Sequence, residues 1–102
     1  MTDTPQQTKA QCTSCIENDS LRVWRWEFAP GEHTERHVHE LDYLVVPLTD
    51  GVYDVTGPGG DSTIEMKAGE PYFRQAGVEH DVANAGPGKV AFVEIELKAA
   101  VR

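Results

Sequence analysis

The stretch GEHTERHVHELDY, residues 31–43, contains three of the four histidines of this 102-residue chain. Side chains two residues apart on an extended strand point to the same face. His37 and His39 are therefore predicted to project side by side. Neutral imidazoles are good ligands for iron, zinc, copper and nickel. The pair predicts one part of a metal site, which needs at least one further ligand from elsewhere in the chain.

On either side of this stretch the chain has short strand-like runs between turns. Residues 21–28, LRVWRWEF, alternate in polarity and place Trp24, Trp26 and Phe28 on one face. Further strands are predicted at 33–39, 43–49, 52–56, 62–67, 71–75, 80–85 and 89–98. The dipeptide DG at 50–51 is a hairpin signal. About eight short strands separated by turns containing glycine or proline are typical of an all-β sandwich or barrel.

Length and charge restrict the possible organisation and partners. Residues 1–19 are polar and aperiodic, so we expect an N-terminal arm or edge segment, followed by a single barrel domain at 20–102. The formal net charge of -8 disfavours nucleic acid and anionic membrane surfaces as partners. The N-terminal residues lack a basic region followed by an apolar one, which would mark a secretory signal, so a cytoplasmic location is expected.

The two cysteines, Cys12 and Cys15, form a C-x-x-C pair. This spacing occurs in zinc sites and in redox proteins. A structural zinc site needs four ligands, and a thioredoxin-like motif needs a βαβ context that this chain lacks. We therefore expect two reduced thiols.

Both histidine-containing segments resemble the motifs of the cupin family. The first motif, G-x5-H-x-H-x3/4-E-x6-G, is matched by Gly31, His37, His39 and Gly51. The second, G-x5-P-x-G-x2-H-x3-N, is matched by Gly69, Gly77, His80 and Asn84, with Gln75 in place of the proline. The resemblance covers roughly residues 21–97. It implies a cupin jelly-roll β-barrel (double-stranded β-helix) in which His80 joins His37 and His39 on one divalent metal per chain.

The glutamate of the first motif is missing. Its position falls on Tyr43 or Leu44, while Glu40 and Asp42 are out of register. On a regular strand Asp42 would face away, unless a bulge turned it back. We expect three histidine ligands, with Asp42 or Tyr43 beside the metal. Arg74 is a candidate for binding a substrate carboxylate in the pocket, although an exposed strand arginine is the more common case.

Other polar residues have simpler interpretations. His33 has the strand parity of the ligand pair but is expected to be a solvated strand-end residue. Glu94 and Glu96 alternate with three apolar residues, so we expect them on the solvent face of the last strand. If that face turned inward instead, they would become candidates for acid–base chemistry.

The resemblance leaves two functional classes open. Three-histidine iron centres in the superfamily are similar to those of thiol and diketone dioxygenases, which implies a dioxygenase or related enzyme acting on a small polar or carboxylated metabolite. The alternative is a non-catalytic, metal-dependent binding or structural module. Iron is expected for an enzyme, with zinc, nickel or manganese as alternatives. A homodimer is expected, because Trp24, Trp26 and the apolar run 43–49 exceed what one small cavity can hide.

Overall fold

Nine β-strands form the architecture of the computed structural model, which describes residues 9–98. The strands are β1 (Gln11–Glu17), β2 (Leu21–Phe28), β3 (His37–Val38), β4 (Asp42–Pro47), β5 (Gly51–Gly57), β6 (Gly60–Met66), β7 (Tyr72–Arg74), β8 (Glu79–Asn84) and β9 (Val90–Leu97). The all-β expectation is confirmed. Over the described range, no helix is long and apolar enough to cross a membrane.

The strands form two antiparallel sheets. One has the order β1-β2-β9-β4-β7, and the other has the order β3-β8-β5-β6. Their inner faces enclose a shared core in which the Tyr53 ring packs edge-on against Phe28 at 5.5 Å and Phe92 at 5.7 Å between centroids. Val45 and Met66 extend this core. Consecutive strands repeatedly cross between the sheets, which is the jelly-roll arrangement.

Two local predictions have definite outcomes. The run 21–28 is β2, with Trp24 and Trp26 on the face that carries the buried Phe28. The hairpin predicted at 50–51 is wrong, because β4 and β5 belong to different sheets. Asp50 instead accepts a hydrogen bond from the Ala68 amide at 2.9 Å, and the chain passes between sheets at this point. The next hairpin along the chain joins β5 and β6.

The N-terminal strand lies within the segment 1–19 that was expected to be an arm or an edge segment. β1 pairs with β2 at the edge of the five-stranded sheet, with a register irregularity between Ser14 and Ile16. Residues 1–8 and 99–102 lie outside the described range.

The outer face of the five-stranded sheet carries a row of apolar residues. Strand pairing aligns Ile16, Val23, Ile95, Leu44 and Phe73 in a row that crosses all five strands. Paired residues share a face, so this row points away from the core. Ile16 and Phe73 are each 48% exposed. We call this row the outer apolar row.

Candidate metal centre

Strand pairing brings the three predicted ligands together. His37 of β3 lies directly opposite His80 of β8, and His39 follows β3 with its amide donating to the Val78 carbonyl at 2.8 Å. The His39 Nε2 atom lies 3.0 Å from Nε2 of His37 and 3.2 Å from Nε2 of His80. Ligands about 2.1 Å from one ion and at right angles to each other lie roughly 3 Å apart. The three donor atoms therefore fit a single transition-metal ion.

The backbone fixes the tautomer of His37. Its Nδ1 donates to the Glu35 carbonyl at 2.8 Å. Because a carbonyl can only accept, Nδ1 carries the proton and Nε2 presents its lone pair to the centre. Glu35 has a φ of 76°, in the left-handed region that non-glycine residues rarely adopt. This main-chain contact has no signature in the side-chain pattern of the sequence.

The other two imidazoles are held neutral by their surroundings. Burial, reinforced by the neighbouring imidazoles, lowers the pKa of His39 to about 3. Burial likewise lowers the pKa of His80 to about 4. Both rings are therefore neutral at neutral pH, each with one nitrogen that carries no proton, which is the state that metal binding requires. The donor set suits iron, zinc, nickel or manganese.

Of the two positions on which the motif glutamate falls, Tyr43 and Leu44, it is Tyr43 that is buried. Its ring is 1% exposed and stacks on His39, with centroids 3.9 Å apart and planes inclined by 19°. Burial raises the pKa of the Tyr43 phenol well above its usual value. The residue is therefore a neutral packing partner of the ligand ring.

The expectation for Asp42 has to be corrected. It lies on the outward face of β4, where its carboxylate accepts the Ala76 amide at 2.8 Å. Regular strand alternation directs it away from the histidines, and no bulge in the β4–β9 pairing turns it back.

A cavity of about 250 Å³ adjoins His80. Its wall is largely apolar and includes Val45, Ile64, Met66 and Val82, together with Tyr72 and Arg74. The exposed Arg74 guanidinium lies 4.7 Å from the Tyr72 ring centroid and forms no ion pair within the described part of the chain. The cavity thus combines an apolar interior with one available cation.

The prediction that Glu94 and Glu96 face solvent is wrong. They are 7% and 8% exposed and point inward from β9. Glu94 accepts the indole N–H of Trp26 at 3.2 Å. Glu96 accepts the indole N–H of Trp24 at 2.8 Å and the Arg22 Nε–H at 3.0 Å. The indole N–H groups of two tryptophans on one face of β2 need hydrogen-bond acceptors. This need was the one feature of the sequence that could have predicted inward-facing carboxylates on a neighbouring strand.

The remaining candidates are not among the three grouped ligands, although Cys12 lines the cleft beside His37 and His39. His33 Nδ1 pairs with Asp81 at 3.0 Å and is not among the grouped ligands. Cys12 and Cys15 are free thiols. Desolvation raises the pKa of the Cys12 thiol to about 11, so it is protonated and unreactive at neutral pH.

Comparison with known proteins agrees with this architecture. A family model described as a cupin domain matches residues 24–96. The beta-alanine degradation protein BauB of Pseudomonas aeruginosa is 51% identical over 83 residues, covering 81% of this chain and 87% of that protein. A cupin domain from Bordetella pertussis superposes with a TM-score of 0.90 at 40% identity, covering 94% of this chain and all of that one. A double-stranded β-helix protein from Klebsiella pneumoniae has a TM-score of 0.73 at 23% identity, covering 92% and 81% of the two chains, and shares the fold.

Proposed function

This chain belongs to the cupin family, and from that premise we propose that it binds one divalent transition-metal ion through His37, His39 and His80 and acts on a small carboxylated metabolite. The convergence of three histidine Nε2 atoms is the observation that carries the proposal. Their spacing suits one ion, and burial keeps His39 and His80 neutral, which is the state that binds a metal.

Iron is the proposed metal if the protein is an enzyme. A bound iron(II) ion would offer open coordination positions to substrate and dioxygen, which supports a dioxygenase or related activity. The protein's own contribution is to hold the ligands. The Glu35 carbonyl fixes the His37 ring, and Tyr43 stacks against His39. Zinc, which has no redox chemistry, would indicate Lewis-acid chemistry or a binding role.

The proposed substrate class rests on the cavity beside His80. Arg74 lines this cavity and has no carboxylate partner in the described range, so its guanidinium is free to form a bidentate contact with a substrate carboxylate. The largely apolar wall would enclose a short carbon chain. The name of the Pseudomonas relative, a beta-alanine degradation protein, supports a short carboxylate related to amino acids.

The first test is elemental analysis of natively purified protein, followed by reconstitution with iron(II) under anaerobic conditions. Oxygen consumption is then measured with short carboxylates and with the corresponding amides. We expect turnover with carboxylates and little with amides. Bound metal without turnover of any compound would select the alternative, a non-catalytic binding module. Absence of metal binding would overturn the proposal.

Arg74→Gln tests the substrate contact. Loss of one charge-assisted contact should raise KM for the carboxylate about tenfold or more, while metal content stays unchanged. Arg25→Gln is the matched control, because Arg25 is also exposed but pairs with Glu27, and neither residue lines the cavity. It should change KM less than twofold.

A further inference from the structure

Glu94 lies between the ligand His39 and the indole of Trp26. Its Oε2 lies 3.7 Å from Nε2 of His39, the atom at the centre of the ligand group. Its Oε1 accepts the Trp26 indole N–H. Glu94 also lines both the cavity beside His80 and a second cleft beside His37. One oxygen is therefore held by the Trp26 indole, while the other lies near the donor atom of His39.

Among the described residues, no lysine or arginine is paired with the Glu94 carboxylate. Its ion-pair contact within 4 Å is with His39, whose ring is neutral at neutral pH. Arg22 pairs with Glu96, and Glu96 has the same sign as Glu94. A buried carboxylate without a cation is costly. A divalent ion beside His39 would supply the missing positive charge.

We propose that Glu94 is the anionic residue of the metal centre, supplying from β9 the charge that the first-motif glutamate does not provide. The inference rests on the proposed metal binding. Tyr43 carries no carboxylate, and it meets His39 through the face of its ring. Asp42 cannot provide this charge either, because its side chain faces outward. With Glu94 ionised, a divalent ion on three neutral imidazoles has a net charge of about +1 instead of +2.

The test measures metal affinity, by competition of Zn²⁺ and Co²⁺ with a chelator at pH 8. Glu94→Gln keeps the shape of the side chain and an acceptor for Trp26 but removes the charge. We expect at least a tenfold loss of affinity. In Glu94→Ala, added formate should restore part of the affinity and change the Co²⁺ absorption spectrum, since a small carboxylate can replace the missing one.

Glu96→Gln and Glu96→Ala are the matched controls on the same inward face. The Glu96 carboxylate is paired with Arg22 and lies 3.9 Å from Nδ1 of His39, not from the ligating Nε2. Its loss should therefore lower affinity less than loss of Glu94, and formate should not restore it. If the parent binds metal and Glu94→Gln binds it equally tightly, or if formate fails to rescue Glu94→Ala, this inference is overturned while the proposed function stands. If the parent itself binds no metal, both are overturned.

Discussion

At the scale of single residues, the centre combines groups whose pKa values are displaced in opposite directions. His39 and His80 have pKa values of about 3 and 4 in the folded protein, below the ordinary histidine value of 6.5. Glu94 has a pKa of about 7, above its ordinary value of 4.5. Each displacement links stability to pH, because the folded and unfolded chains bind different numbers of protons.

The metal-free protein should lose stability as pH falls from 6.5 towards 4. In this window the unfolded chain protonates its histidines while folded His39 and His80 remain neutral. Each such proton contributes up to about 1.4 kcal/mol per pH unit. Glu94 acts with the opposite sign, since the stability that its protonated form contributes is present below pH 4.5 and is lost as pH rises through 7.

Glu94→Gln removes the opposing contribution of Glu94. The metal-free variant should be more stable than the parent at pH 8 and should lose stability more steeply on acidification. Urea unfolding in the presence of a chelator, at half-unit steps between pH 4.5 and 8, measures both effects. A variant less stable than the parent at pH 8 would show that ionised Glu94 has a stabilising partner in the metal-free protein.

Each ligand histidine should be required for binding. His37→Ala, His39→Ala and His80→Ala should each lower metal affinity at least tenfold, because two remaining imidazoles make a weak site. His33→Ala is the control, since that ring pairs with Asp81 outside the group. Chelator competition and metal content measure the effect. Parent-like metal content in all three ligand variants would place the site elsewhere.

These residues differ in how well the sequence reveals them. His37 and His39 share a face through a local two-residue period, which is visible without the fold, and the family resemblance added His80. Glu94 depends on which side of β9 faces inward. That depends on long-range pairing of β9 with β2 and β4, so local alternation defined the two faces correctly but assigned them the wrong way round.

At the scale of elements, β5 and β8 must approach closely to hold His80. A Cβ built on Gly57 would lie 2.7 Å from the Glu79 carbonyl oxygen and 3.8 Å from the His80 Cα. Both of these are backbone atoms, which cannot rotate out of the way as a side chain can. The absence of a side chain at Gly57 therefore allows β8 to lie where it presents His80 to the other ligands.

Gly57→Ala should destabilise the protein by about 1–3 kcal/mol, through displacement of the β8 backbone. It should also weaken metal binding, since the displaced segment carries His80. Gly59→Ala is the control, because a Cβ there meets nothing within 4 Å. Thermal unfolding and chelator competition measure the two effects. Equal behaviour of the two variants would contradict the proposed close approach.

Element positions were predicted more reliably than element partners. The run 21–28 became β2 without change, because strict alternation and flanking turns are local signals. The DG signal at 50–51 lies next to a bend at 48–49, and Gly51 already begins β5. No hairpin forms there, because β5 joins the other sheet. The strand at 11–17 has mostly exposed side chains and therefore no clear pattern of burial.

At the scale of the whole molecule, the inward carboxylates leave apolar residues on the outside. The outer apolar row has no cover within the described chain, and Leu97 beside it is 38% exposed. Trp24 and Trp26, on which the dimer expectation partly rested, face inward and donate to the glutamates. The surface available for association is therefore the outer face of the five-stranded sheet.

We propose that a second copy of the chain covers this face. Five strands about 4.8 Å apart and strands of up to about 26 Å give a footprint of roughly 500 Å². A twofold contact uses the same surface on both copies, so up to about 1,000 Å² would be buried, which is at the lower limit for a specific interface. An apolar contact also avoids bringing together the charges of two chains, each with a net charge of -8.

Light scattering of the parent at micromolar concentration should give twice the chain mass of 11.3 kDa. Ile95→Glu places a charge at the centre of the outer apolar row, where two copies would desolvate it, and should yield monomers that retain metal. Val38→Glu is the control, because Val38 is 56% exposed but lies in the other sheet. It should remain dimeric. A monomeric parent, or equal dissociation of both variants, would show that this face is not where copies associate.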